Sequence, residues 1–309
     1  MQYQSSTLTL AGNSVSLHIR QWSDGNEACI LIHGFGEGAY IWDDLAPSIA
    51  RSFRTLAVDL RGHGDSSWDP KGEYSVEGHV ADLIEVIDAL QIERLALVGH
   101  SLGGNIAIRI AAARPESVIG LAIVDFGPDL NPEGADRVFT DFNDSLRTWD
   151  SFSEYEAWLQ VRRPLASPTI INTMSAAALQ PHPSGGYRLK CDPALGTAKL
   201  RENNSALLWN IIASLSSPVM ILRGIGSAVL ACDVAQKMAQ VLPNGHLRTI
   251  NHAGHGVVMD NPRQFAAELL PFLSQLHETE RFAKLPQRYR TEINVNDRIT
   301  KSKTDSLSE

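Results

Sequence analysis

The run Leu95-Ala96-Leu97-Val98-Gly99-His100-Ser101-Leu102-Gly103-Gly104 limits the possible folds of this chain more than any other segment. Its first four residues read as an apolar strand, and residues 105–113 after it read as a helix. A Gly-x-Ser-x-Gly between strand and helix has to turn sharply at the serine. Side chains two positions away on either side would collide there, and Gly99 and Gly103 remove them. The turn lifts the Ser101 hydroxyl above the sheet edge and leaves it at a helix N-terminus, where the helix dipole favours developing negative charge. The bare motif is common; the flanking strand and helix make this instance specific.

The rest of the chain supplies the alternation such a turn requires. Runs at 29–32, 55–58, 95–98, 121–124 and 219–222 are continuously apolar, as strands covered on both faces should be, and 247–250 is a weaker last member. Segments 7–10 and 15–19 alternate with the strand period around Ala11-Gly12-Asn13, which predicts an antiparallel hairpin. Val80, Leu83, Ile84, Ile87 and Leu90 form a helical stripe capped by Ser75, and Phe265, Leu269, Phe272, Leu273 and Leu276 form another. Both stripes are core-packing positions. Two hairpin strands and six apolar runs make an eight-stranded, mostly parallel α/β sheet flanked by helices.

Between Pro128 and Ser217 the alternation stops, and the aromatics Phe139, Phe142, Trp149, Phe152, Tyr155, Trp158 and Trp209 gather. With a Pro/Gly break at 181–186, residues 128–217 read as a small helical subdomain inserted after the sixth strand. Residues 1–127 and 218–276 are then the core. The polar stretch 277–309 reads as a solvated or disordered tail, or as an arm that packs on a partner subunit.

Composition excludes some functions. A hydrophobic fraction of 43% in 309 residues is enough for a sizeable core, and a net charge of -8 argues against a nucleic-acid partner. Cys29, Cys191 and Cys232 form no CxxC pair, so neither a zinc knuckle nor a disulfide framework is expected, and Cys29 should be a buried small hydrophobe. Met1-Gln2-Tyr3-Gln4-Ser5 has no basic and apolar leader, and no apolar run is long enough to cross a bilayer. The expectation is a soluble, cytoplasmic monomer or homodimer, and no spacing of His, Cys and Asp resembles a metal site.

A serine nucleophile needs donors aimed at the oxygen that becomes negative, and a base within reach. The N–H of Leu102 is one candidate donor. The N–H of Phe35, in the loop His33-Gly34-Phe35-Gly36 after the first parallel strand, is the other. His33 in that loop is read as bracing the turn. The base should follow the last strand, where Asn251-His252-Ala253-Gly254-His255-Gly256 offers two imidazoles. His255 leaves the strand after a glycine and is taken as the base; His252 lies nearer the strand and is taken as a packing or hydrogen-bonding residue.

Taken together, His33-Gly34-Phe35-Gly36, Asp59-Leu60-Arg61-Gly62-His63-Gly64-Asp65-Ser66, Gly99-His100-Ser101-Leu102-Gly103-Gly104 and Ala253-Gly254-His255 resemble the α/β-hydrolase superfamily, in its capped, esterase- and lipase-like branch. The resemblance covers 7–276 and implies that the insert is a cap over the active site and that no cofactor is used. In many relatives the acid of the triad follows the strand at 219–222. Here 223–229 holds no carboxylate, so the resemblance points to Asp125, at the end of the preceding strand, where some branches carry it. Asp233, read as a helix cap, is the alternative, and a serine–histidine dyad is a third possibility. The implied activity is hydrolysis of an ester, thioester or lactone through an acyl-enzyme. Carbon–carbon bond hydrolases and cofactor-free perhydrolases share the same residue set, and a non-enzymatic small-molecule receptor of this fold is a further alternative. Serine at the elbow disfavours the branches that use an aspartate nucleophile there.

Overall fold

The computed structural model describes residues 2–11, 15–198 and 204–284. Strands β1 (Gln4–Thr9) and β2 (Ser16–Gln21) pair antiparallel, with Thr9 opposite Ser16. Gly12 and Asn13 of the expected turn lie outside the described residues. The alternating half of the chain then runs β3 (Glu27–Ile32), α1 (Ala46–Ile49), β4 (Arg54–Val58), α2 (Val76–Ala89), β5 (Arg94–His100), α3 (Leu102–Ala113) and β6 (Val118–Val124). Next come α4 (Pro132–Ser145), α5 (Phe152–Arg162), α6 (Pro168–Ala178), the small hairpin β7 (Leu179–Pro181) and β8 (Tyr187–Leu189), and α7 (Ser205–Ser214). The chain returns through β9 (Val219–Gly224), α8 (Cys232–Val241), β10 (Gly245–Ile250), α9 (Val257–Asp260) and α10 (Pro262–Lys284).

Eight strands form one sheet in the order β1-β2-β4-β3-β5-β6-β9-β10, parallel from β4 to β10. The chain leaves β3 towards β4 on one side and returns to β5 on the other. In such sheets a crevice opens beyond the carboxyl ends of the strands at the point of reversal, and here the loop at Gly34 and the turn at Ser101 face it. Alternate strand residues feed two cores. Ile30, Leu97 and Ile221 pack with α2, α3, α7 and α8; Leu31, Val98 and Leu222 pack with α10 and the segment after β6. Burial on both faces is the reason these strands read as unbroken apolar runs. Cys29 is fully buried, as expected.

Local signals explain the helices. Ser75 caps α2 by accepting from the Gly78 amide. Asn131, Ser151 and Ser167 cap α4, α5 and α6 in the same way, with Pro132 and Pro168 in the first turn where a missing N–H costs nothing. The buried face of α2 is rotated from the apolar stripe. It holds Leu83 and Ile87 together with Val76, His79, Asp82 and Val86, whereas Val80, Ile84 and Leu90 are only half-buried. His79 and Asp82 were invisible to an apolar pattern. In the region read as an insert, α7 belongs to the core layer, because Leu208, Ile212 and Leu215 are buried with α3 and α8. At the other end, α10 continues through 277–284 of the expected tail; 285–309 lies outside the described residues.

Candidate active site

Ser101 sits between β5 and α3 with φ 51 and ψ −115, a backbone position that is strained for any side chain. Its amide is held by the Val124 carbonyl at 2.9 Å. The flanking glycines are required by contact distance. A Cβ on Gly99 would lie 2.2 Å from the Gly103 carbonyl oxygen, and one on Gly103 would lie 2.3 Å from that of Ile32. Helix α3 can therefore press its first turn against β3 and β5.

The structure brings Ser101, His255 and Asp125 together. His255, in the loop between β10 and α9, places Nε2 3.0 Å from Ser101 Oγ, and its Nδ1 lies 2.8 Å from Asp125 Oδ2. Asp125 follows β6 directly, with φ 51, and is fully buried. Its carboxylate also accepts from the Ser227 hydroxyl at 2.5 Å and from the Gly224 amide at 3.0 Å. A buried carboxylate without such donors would be expensive to keep charged. Asp233 is elsewhere: it is exposed in the first turn of α8, its Oδ1 accepting from the Val234 amide. It is not the cap residue, since Ala231 holds that position. His252 is exposed with φ 49 in the turn after β10, and so does not pack as expected.

Leu102 opens α3, so its N–H has no carbonyl within the helix to bond. The Phe35 loop lies against Ser101: a Cβ on Gly34 would be 3.2 Å from Ser101 Cβ. The Phe35 ring packs on Phe139 and Phe142 of α4, with centroids 4.5 and 4.6 Å away. His33 braces this loop. Its Nε2 accepts from the Leu60 amide at 2.9 Å, which leaves Nδ1 to donate to the Gly34 carbonyl at 2.7 Å, and burial lowers its pKa.

Two further residues of the site carry no marker in the sequence. His100, the variable residue of the elbow, places Nδ1 2.8 Å from Glu37 Oε2 and Nε2 2.8 Å from the His255 carbonyl oxygen. Glu37 Oε2 also accepts from the Gly34 amide at 2.9 Å, and Oε1 accepts from Arg163, just past α5, at 3.2 Å. Burial works to raise the Glu37 pKa, but His100 and Arg163 outweigh it and hold the group well below the usual carboxylate range. Burial likewise opposes charge on His100, and Glu37 outweighs it, so the His100 pKa is raised. A chain of opposite charges thus joins α5, the Phe35 loop, the elbow and the His255 loop. Its pairs are separated by 63 and 126 residues in sequence, so no local pattern could reveal them.

Ser101 and His255 border a cavity of about 360 Å³, walled on the far side by Phe142, Tyr155, Trp158 and Leu159 from the segment after β6. Among the described residues, His18, Asp59 and Asp65 offer metal-ligating atoms within 4.8 Å of one another. Those atoms are already committed: His18 Nδ1 lies 2.8 Å from Asp59, Ser5 holds Nε2, and Lys190 pairs with Asp65 at 2.8 Å. The cluster braces β2 against the loop after β4. No described helix is long and apolar enough to cross a membrane.

Fold and site geometry define a member of the alpha/beta hydrolase fold family, whose pattern matches residues 28–262; the chain belongs to that family and is an enzyme of the hydrolase class. Among individual proteins, it is 26% identical over 246 residues to a 2-(acetamidomethylene)succinate hydrolase of Mesorhizobium japonicum, covering 79% of this chain and 86% of that one. It is 27% identical over 249 residues to an esterase of Mycobacterium tuberculosis, with 79% and 81% covered. The crystal structure of an E-2-(acetamidomethylene)succinate hydrolase superposes with a TM-score of 0.80 at 24% identity, covering 88% of this chain and all of that one; at that identity the likeness speaks for the fold alone.

Proposed function

We propose that this protein is a serine hydrolase that cleaves a carboxylic ester, thioester or lactone of a small, partly apolar substrate through an acyl-enzyme. The observation that carries this reading is the line Ser101 Oγ to His255 Nε2, 3.0 Å, and His255 Nδ1 to Asp125 Oδ2, 2.8 Å, at the wall of a cavity. His255 takes the Ser101 proton as Oγ attacks the carbonyl carbon. The N–H groups of Phe35 and Leu102 hold the oxygen that becomes negative. Collapse expels the alcohol or thiol, which leaves with the proton from His255. Water then attacks the acyl-enzyme with His255 again as base, releasing the acid and restoring Ser101. Asp125 fixes the imidazole with its free nitrogen toward the serine. The helices α4, α5 and α6 act as a cap over the cavity. The reaction calls for no metal or cofactor, and an esterase among the relatives is consistent with it.

The test is labelling with a fluorophosphonate probe and turnover of a panel of activated esters. Wild type should label at Ser101 and turn over repeatedly. Ser101→Ala should not label and should lose up to about a millionfold in kcat, roughly 8 kcal/mol of barrier. Labelling of a different serine, or binding without repeated turnover, would contradict the proposal; the second outcome would fit a receptor.

A further inference from the structure

We propose that the substrate carries a straight apolar acyl chain, and that Tyr40 and Met174 are the specificity-determining stop that sets its length. The inference rests on the reading of Ser101 as nucleophile. Much of the charged lining of the cavity is already paired: Arg137 bonds Asp141 at 3.0 Å, Arg162 bonds Asp141 and Asp144, each at 3.3 Å, and Arg163 bonds Glu37 at 3.2 Å. What remains for a substrate is an apolar end, formed by Tyr40, Phe142, Tyr155, Leu159, Met174 and Leu189, all buried. Each methylene seated against these side chains gains about 0.8 kcal/mol, close to fourfold in kcat/KM.

Behind this end lies a second hollow of about 90 Å³, lined by Ile41, Leu45, Ile170, Met259, Phe265 and Ala266. Tyr40 and Met174 line both spaces and are only 7% and 5% exposed, so their two side chains form the partition. Tyr40 comes from the short turn Ala39–Trp42 after the Phe35 loop, and Met174 comes from α6. The wall is therefore one rigid ring from the core and one flexible thioether from the segment after β6. An acyl chain seated on Ser101 runs toward this wall, and the leaving group departs past Arg137 and Arg162.

The experiment measures kcat/KM for a series of straight-chain p-nitrophenyl esters. In wild type the values should climb about fourfold per methylene and then break sharply at one length. Met174→Ala removes Cγ, Sδ and Cε, so the break should move out by roughly three methylenes. Ala266→Phe, which fills the second hollow, should leave the wild-type profile alone and should cancel the extension in the Met174→Ala background. A Met174→Ala enzyme that rises or falls by one factor at every length, or an extension that survives Ala266→Phe, overturns the stop. If no ester of any length turns over and Ser101 takes no phosphonate, the function itself is wrong, and that result is distinct from an unchanged break.

Discussion

Asp125 is fully buried, yet it carries three donors from two segments: His255 from the loop after β10, and Gly224 and Ser227 from the end of β9 and the loop after it. Ser227 occupies the stretch where the resemblance led one to look for an acid, and it points its hydroxyl at the Asp125 carboxylate. Without Asp125 the imidazole is free to take the wrong tautomer, which in a comparable serine system costs about ten-thousandfold. Asp125→Asn should therefore lower kcat by about that factor, and Asp233→Asn, at an exposed position on α8, should change it little. Kinetics of both variants, with melting curves to separate folding from chemistry, decide the point. A crippled Asp233→Asn with an active Asp125→Asn would reverse the assignment.

At the scale of elements, the contact that matters runs from the end of α5 to the loop after β3. Arg163 reaches Glu37, and Glu37 holds His100, which in turn holds the backbone of the His255 loop. Glu37 is 4% exposed, so neutralising it leaves the buried His100 cation without its partner, a loss of about 3–5 kcal/mol where such pairs are broken. Arg163 is partly exposed and screened by solvent, so its removal should cost far less. Glu37→Gln is expected to lower Tm strongly and kcat with it, while Arg163→Ala should leave Tm nearly unchanged. Thermal melts and kcat on the same ester check both, and equal effects from the two variants would show that the charge chain is not graded in this way. The extents of the strands were legible within a few residues, because burial on both faces demands continuous apolar side chains. The rotation of α2 was not, because its buried face includes His79 and Asp82, which no hydrophobic pattern selects.

The molecule as a whole should be sensitive to acid. Burial depresses the pKa of His33 and His79, and pulls His63 down to about 3. Unfolded, these imidazoles take up protons below about pH 6.5, while in the folded protein their lowered pKa values oppose that uptake. The unfolded chain then binds more protons just below pH 6.5, so stability falls as pH falls, by at most about 1.4 kcal/mol per pH unit for each such histidine. Both ring nitrogens of His79 are buried without a hydrogen-bond partner. His79→Leu should accordingly flatten the decline of Tm as pH falls below roughly 6.5. An unchanged slope would mean that His79 does not resist protonation.

The sequence by itself determined the α/β order of strands and helices, the elbow at Ser101, the loop at Phe35 and the histidine at 255. Each of these is a local requirement, met by apolar runs, glycines and turn residues adjacent in the chain. Only the tertiary structure showed that the Asp125 carboxylate lies 2.8 Å from His255 while Asp233 stands exposed on α8, and only it gave the partners of Glu37 and His100 and the place of α7 in the core layer. Those depend on which strand ends meet across the sheet, and contacts between residues 63 to 130 positions apart follow from the folded path rather than from any short pattern.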